Sequence, residues 1–197
     1  MKMGVLALQG DYLEHAQLLK ELGVEAVYVK RSEQLREVKA LIIPGGESTT
    51  IGNLISQMGL SQAIVKYAEE GNPVLGTCAG AIILAKKVID RVVSETGQFT
   101  LGLMNIAVTR NAFGRQNESF EATVYIEDIG EVRAAFIRAP VISDAWSPAK
   151  ITGYIDHPAI GRVGVAAKQG RIIAISFHPE ITGDKQIYEY LISLAKK

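Results

Sequence analysis

Apolar residues in the first half of the chain fall into two alternating patterns. Short runs rich in β-branched residues at 3–8, 25–29, 40–43 and 73–77 predict strands. The segments between them place apolar residues three and four positions apart. In 11–22 these are Leu13, Ala16, Leu18, Leu19 and Leu22, followed by Gly23 as a C-cap, and 49–58, 61–70 and 79–88 read as three further helices. Such alternation is the signature of βαβ units around a parallel sheet. From about residue 104 the pattern changes to strands and turns, at 104–109, 120–126, 134–137, 151–155, 163–167 and 172–177, so this half is expected to be antiparallel or mixed. A helix over 184–195 follows. The stretch 140–148, containing Trp146, is expected to be an irregular surface loop.

Composition narrows the function class. With 197 residues, 48% hydrophobic and 21% charged, the chain can bury a sizeable core as one domain, and no repeat or linker divides it. Its 21 basic and 21 acidic residues balance, so no basic face is implied for nucleic acid or an anionic membrane. One cysteine cannot form an internal disulfide, and with three histidines it gives no zinc-spaced cluster, so no metal is expected. The N-terminus enters a strand without a signal-peptide pattern, and apolar runs are far shorter than a membrane span. A cytoplasmic protein is expected.

The lone cysteine carries the chemistry. Cys78 sits in Gly76-Thr77-Cys78-Ala79-Gly80, between an expected strand and an expected helix. The Gly-x-Cys-x-Gly spacing is a thiol nucleophile elbow, in which flanking glycines permit a tight turn that lifts the sulfur into solvent. A packing cysteine would not need that frame. A thiol with a free pKa of about 8.5 needs a base or a positive partner. His178 follows the apolar run 172–177 and precedes Pro179 and Glu180. Pro179 disfavours a helical conformation at His178 and holds it extended, so His178 and Glu180, two residues apart, are expected to project to one side. In an open parallel sheet the carboxyl strand ends share an edge, which brings Cys78, His178 and Glu180 together as nucleophile, base and orienter.

Acyl transfer also needs donors for an oxyanion. After the strand at 40–43, Pro44-Gly45-Gly46-Glu47-Ser48-Thr49 can turn backbone amides toward a substrate. The amides of Gly46 and Ala79 are the candidate oxyanion hole. Glu47 or Ser48 can cap the following helix at the same time. No phosphate-binding glycine motif is present, so no nucleotide cofactor is expected.

These blocks resemble the class I, triad type of glutamine amidotransferase. Further blocks extend the likeness: Leu8-Gln9-Gly10 with Glu14-His15, the Arg110 to Gln116 stretch, Ser119-Phe120-Glu121-Ala122, and Phe136-Ile137-Arg138-Ala139-Pro140. Together they are similar to the glutaminase-subunit family of pyridoxal 5'-phosphate synthases. The resemblance implies a three-layer α/β/α fold, mainly parallel in its central sheet with additional antiparallel or mixed strands, and no cofactor. It implies that Cys78 attacks the side-chain amide of L-glutamine, giving a γ-glutamyl thioester and ammonia. His178 would move the protons and Glu180 would orient it. Gly46, Glu47, Ser48, Arg110, Ile137 and Arg138 would bind glutamine, an arginine fork suiting its α-carboxylate. Ammonia would pass to a separate (β/α)8 synthase subunit, and the Gln9-Gly10 loop would serve docking and activation. His15 is expected at the surface, and His157 has no assigned role.

Rival readings share parts of this pattern. A glutaminase feeding imidazole glycerol phosphate synthesis would have the same triad, but the Leu-Gln-Gly, Arg-Asn-x-Phe-Gly-Arg and Phe-Ile-Arg-Ala-Pro blocks favour the vitamin B6 branch. A cysteine hydrolase of the intracellular protease type commonly places histidine directly after the nucleophile, where this chain has Ala79. A non-catalytic binding protein on the same fold would lose no activity on replacement of Cys78.

Overall fold

The computed structural model describes residues 1–90, 94–95, 97–113 and 119–197. Its first half follows the expected alternation: β1 (Lys2–Leu6), α1 (Tyr12–Glu21), β2 (Glu25–Val29), β3 (Leu41–Ile43), α2 (Ser48–Gln57), α3 (Ser61–Glu69), β4 (Val74–Thr77) and α4 (Ala79–Leu84). A short 3-10 helix, Ser32–Glu37, lies between β2 and β3. There follow β5 (Ala85–Asp90), β6 (Ser94–Glu95), β7 (Met104–Arg110), β8 (Ser119–Ile126), β9 (Gly130–Ile137), β10 (Val141–Ala145), β11 (Lys150–His157), β12 (Gly161–Gln169) and β13 (Ile172–Ile175). Two helices, α5 (Pro179–Thr182) and α6 (Gln186–Ala195), come last.

The strands form one mixed sheet with the path β2-β1-β3-β4-β13-β12-β10-β7-β5-β6. From β2 to β13 every pairing is parallel, and β13 then pairs antiparallel with β12. β11 leaves the path beside β12 and leads through β8 to β9. The period-2 pleat divides the core. Leu6, Leu41, Ile43, Val74, Ile172 and Ala174 face one side, with Ile51 and Ile55 of α2 and Ile64 of α3. Met3, Val5, Ile42, Leu75, Ile173 and Ile175 face the other, with Leu18 and Leu19 of α1 and Leu191 and Leu194 of α6. Burial of both faces explains why these strands read as unbroken apolar runs.

Three elements differ from the sequence pattern. The helix expected over 79–88 ends at Leu84, and Ala85–Asp90 is a strand parallel to β7. Ala85 is already extended, at φ −70° and ψ 147°. Ladder hydrogen bonds along β7 outweigh the modest helical preference of this stretch. Within the expected loop 140–148, Val141–Ala145 is a strand inserted between β7 and β12, with a bulge between Ile142 and Asp144 that breaks its alternation. His178 is extended as expected, at φ −112° and ψ 91°, but Pro179 opens α5, so Glu180 is helical and His178 is the N-cap residue.

Strand order places the candidate chemistry. β4 lies between β3 and β13, with Ile43 opposite Gly76 and Ile175 opposite Thr77. The elbow at Cys78 therefore has the glycine turn after β3 on one side and the chain leading to His178 on the other. Two glycines let α4 descend onto this edge. A Cβ on Gly80 would stand 2.0 Å from the Ile43 carbonyl oxygen, and one on Gly76 would stand 2.6 Å from Gly80 backbone atoms. Alanine at position 80 would gain about 1 kcal/mol of helix propensity. Relieving a clash with backbone requires movement of α4 or β3 and costs about 3 kcal/mol. Gly80→Ala is therefore expected to be destabilised by about 2 kcal/mol, read as a lower urea midpoint at unchanged slope.

Candidate active site

Cys78 has φ 49° and ψ −104°, a conformation that side chains avoid and that nucleophile elbows impose. Its amide donates to the Ile175 carbonyl at 2.8 Å, and its carbonyl accepts from Ala81, which fixes the turn between β4 and α4. The sulfur is not lifted into solvent as the sequence pattern implies. Cys78 is only 8% exposed and lies in a cleft of about 310 Å³. The neighbouring loops close over the edge that a lone βα turn would leave open.

His178 Nδ1 donates to Glu180 Oε1 at 2.6 Å, and Asp11 Oδ2 lies 3.4 Å from the same nitrogen. The other ring nitrogen remains for the thiol of Cys78, which interacts directly with the imidazole. Burial alone would lower the pKa of His178, but Asp11, Cys78 and Glu180 favour its cation and push it up to about 12. The His178 hydrogen bond is also the main influence holding Asp11 below its ordinary value. Gly45 makes the ring's position possible, since a Cβ there would stand 2.5 Å from His178 Cε1.

The raised His178 pKa predicts a pH dependence of stability. An unfolded histidine titrates near 6.5. Above that value the folded chain keeps a proton that the unfolded chain releases. The contribution of His178 is thus complete below about pH 6.5 and is lost progressively as pH rises toward about 12. His178→Gln is expected to flatten the decline of the urea midpoint above pH 7, measured beside the unsubstituted chain.

The cleft is lined by Gly46, Glu47, Ser48, Cys78, Ala79 and Arg110, together with Ile82, Asn111, Arg138 and Pro140. Ala79 is the first residue of α4, where an amide has no partner inside the helix. Glu47 caps α2, its carboxylate accepting from the Thr49 and Thr50 amides at 3.1 and 2.7 Å. Burial would raise its pKa, but bonds from Thr50 and Thr49 outweigh this and lower it. Arg110 donates to Gln98 Oε1 at 2.5 Å, and Ser48 Oγ lies 3.4 Å from the same oxygen. Arg138 adds a second guanidinium at φ 47°. Ile137, 39% exposed at the end of β9, does not line the cleft.

Gln9 and Gly10 press on the back of the glycine turn. Gln9 Oε1 accepts from the Glu47 amide at 2.9 Å, and a Cβ on Gly10 would stand 1.8 Å from the Gly45 carbonyl oxygen. The next residue, Asp11, reaches His178, so one loop touches both the glycine turn and the candidate base. Sequence reasoning missed Asp11, Gln98 and Asn111. Asp11 follows the Leu-Gln-Gly block directly and Asn111 follows Arg110 in the Arg-Asn-x-Phe-Gly-Arg block, which were the available signals; Gln98 stands in no recognisable pattern. His15 is completely buried, contrary to its surface assignment, because Tyr188 and Thr77 supply hydrogen bonds from opposite elements. His157 packs its ring against Phe113 and Phe120. Residues 114–116 of the Arg110 block lie outside the described residues.

Asp11, His178 and Glu180 place donor atoms within 4.8 Å of one another. The 2.6 Å contact between His178 and Glu180 is a hydrogen bond with no room for an ion, and both carboxylates face the same nitrogen. The cluster fits a charged imidazole better than a metal.

A strained cysteine between a glycine turn and a histidine–carboxylate pair, on the carboxyl edge of a parallel sheet, has the geometry that thiol-dependent catalysis requires. Residues 5–197 match the model of the SNO glutamine amidotransferase family, and the chain belongs to that family. A relative from Hyperthermus butylicus, named pyridoxal 5'-phosphate synthase subunit PdxT, is 57% identical over 195 residues, covering 98% of this chain and 96% of its own. One of the same name from Pyrobaculum aerophilum is 52% identical over 201 residues, covering 99% and 98%. A solved structure described as a glutamine amidotransferase superposes with a TM-score of 0.89 at 44% identity, covering 99% of both chains.

Proposed function

We propose that this chain is the glutaminase subunit of a pyridoxal 5'-phosphate synthase, acting as one unit over its 197 residues. It hydrolyses L-glutamine to L-glutamate and ammonia in the cytoplasm, where a free thiol nucleophile persists. The observation that carries the reading is the convergence of Cys78, at a strained elbow, with a His178 already held by Glu180.

His178 holds the proton taken from the Cys78 thiol, so that Sγ attacks the side-chain amide carbon of glutamine as one half of a thiolate–imidazolium pair. The amides of Gly46 and Ala79 receive the developing oxyanion. Collapse breaks the C–N bond, His178 returns its proton to the leaving ammonia, and a γ-glutamyl thioester remains on Cys78. A water deprotonated by His178 then attacks the thioester and releases glutamate. Arg110 and Arg138 take the α-carboxylate, and Glu47 and Ser48 complete the binding site. The ammonia passes to a (β/α)8 synthase subunit. Contact of Gln9 with the glycine turn supports the Gln9-Gly10 loop as the place where docking reaches the site.

The test is glutamate release by the purified chain, alone and mixed with a pyridoxal 5'-phosphate synthase barrel subunit. Activity that rises on mixing is expected. Robust activity indifferent to that subunit would point to another amidotransferase, and none in either setting would overturn the reading.

A further inference from the structure

Glu180 uses its two carboxylate oxygens differently. Oε1 accepts the short bond from His178 Nδ1. Oε2 is buried without a hydrogen-bond partner within normal length, and it faces the ring of His15, whose Nε2 is 3.6 Å away. The same Nε2 lies 3.2 Å from Thr77 Oγ1, while His15 Nδ1 lies 2.7 Å from the Tyr188 hydroxyl. Both His15 and Tyr188 are fully buried.

The partners decide where the His15 proton sits. Burial holds the ring below its ordinary pKa, against the opposing pull of Glu180, so it is neutral. Burial, then the nearby Glu180 and Asp184 charges, raise Tyr188 well above its usual value, so its hydroxyl keeps a proton to donate. A neutral imidazole carries hydrogen on one nitrogen only. With the hydrogen on Nδ1, the Nε2 lone pair would oppose a carboxylate oxygen where no water screens it. With Tyr188 donating to Nδ1 and the hydrogen on Nε2, the ring presents a donor to Thr77 Oγ1 and Glu180 Oε2 together. The second arrangement turns a hydrogen toward both oxygens and keeps Nδ1 paired with the Tyr188 hydroxyl, and the low local dielectric makes the difference large.

We propose that His15 is a positioning residue for this active site, resting on the glutaminase reading above. Its Nε2–H holds the second oxygen of Glu180 and the hydroxyl of Thr77, the residue before Cys78. The carboxylate plane is then set by two hydrogens from opposite sides, one from His178 and one from His15. This fixes the His178 ring relative to the sulfur. Tyr188 locks the tautomer from α6, so α1, β4 and α6 meet at one neutral imidazole. His15 touches neither substrate nor the reacting atoms and acts only through Glu180 and Thr77.

The experiment compares His15→Phe, which keeps a ring but removes the donor, with His15→Gln, whose amide can donate near the position of Nε2. Cys78 is the only thiol, so its alkylation by iodoacetamide reports nucleophile activation independently of turnover. In the chain assayed with its synthase subunit, His15→Phe is expected to lower kcat about ten- to a hundredfold, with KM for glutamine within about twofold. It should slow Cys78 alkylation as well, and His15→Gln should restore most of both. An active unsubstituted chain whose His15→Phe variant keeps its kcat and alkylation rate, or whose His15→Gln variant is as impaired as His15→Phe, would overturn the proposal. If His15→Phe does not fold, Tyr188→Phe carries the same test, with a smaller fall in kcat expected and unchanged kcat overturning. An unsubstituted chain that releases no glutamate would refute the glutaminase reading, and the alkylation rates would then decide the positioning role separately.

Discussion

Cys78→Ala is expected to reduce glutamate release by about 10⁴-fold or more, to the level left by binding and oxyanion stabilisation alone. Without sulfur no thioester forms, and His178 has no thiol proton to move. The fold is expected to survive. The side chain is small and lies at the cleft, so its loss leaves little cavity, and the turn is held by backbone bonds from Cys78 to Ile175 and Ala81. The urea midpoint should remain within about 1 kcal/mol of the unsubstituted chain. Residual turnover above this level with matched stability would exclude Cys78 as nucleophile. Cys78→Ser sharpens the result: it preserves shape but presents a hydroxyl, a much poorer nucleophile than a thiol, and is expected to be nearly as inactive.

Glu180→Gln is expected to lower kcat about 10³- to 10⁴-fold, with a much smaller change in KM. An amide has one donor face and one acceptor face where the carboxylate has two acceptors. His15 Nε2 lies 3.6 Å from Oε2, so a donor on His15 favours the amide oxygen on that side and turns the amide NH₂ toward His178 Nδ1. The histidine is then held with its proton on the nitrogen that faces the thiol and cannot accept from it. Asp11, 3.4 Å from Nδ1, opposes this by retaining one carboxylate on the ring, which is why the upper bound need not be reached. Adding Asp11→Asn to Glu180→Gln should therefore lower kcat further. Measurement of kcat and KM for the single and double variants checks the argument; a Glu180→Gln variant within tenfold of the unsubstituted chain would refute it.

Much of this arrangement is legible in the sequence because it is local. The turn at Gly76–Gly80 needs glycine where backbone meets backbone, and the spacing of Gly45, Gly46 and Glu47 after β3 sets a turn and a helix cap within a few residues. The parallel half is equally plain, since strands buried on both faces write themselves as continuous apolar runs. His178 and Glu180, two residues apart, are close by covalent geometry whether the chain is extended or helical. Their pairing is therefore a robust expectation: His178 is extended as Pro179 requires, and the turn into α5 still keeps Glu180 beside it.

What escaped the sequence is long-range. The strands Ala85–Asp90 and Val141–Ala145 take their form from the neighbours beside β7, and no local preference announces them. The Cys78 sulfur is covered by loops from several strand ends. His15 meets Thr77 and Tyr188, 62 and 173 residues away in the chain, and Asp11 reaches a histidine near the other terminus. The sequence by itself determined the class of fold, the elbow, the glycine turn and the histidine–glutamate pair, because each rests on steric and hydrogen-bonding rules that act over a few residues. Only the tertiary structure decided which polar groups stand buried around that pair, because a buried polar side chain takes its meaning from the partner that satisfies it, and that partner can come from any part of the chain.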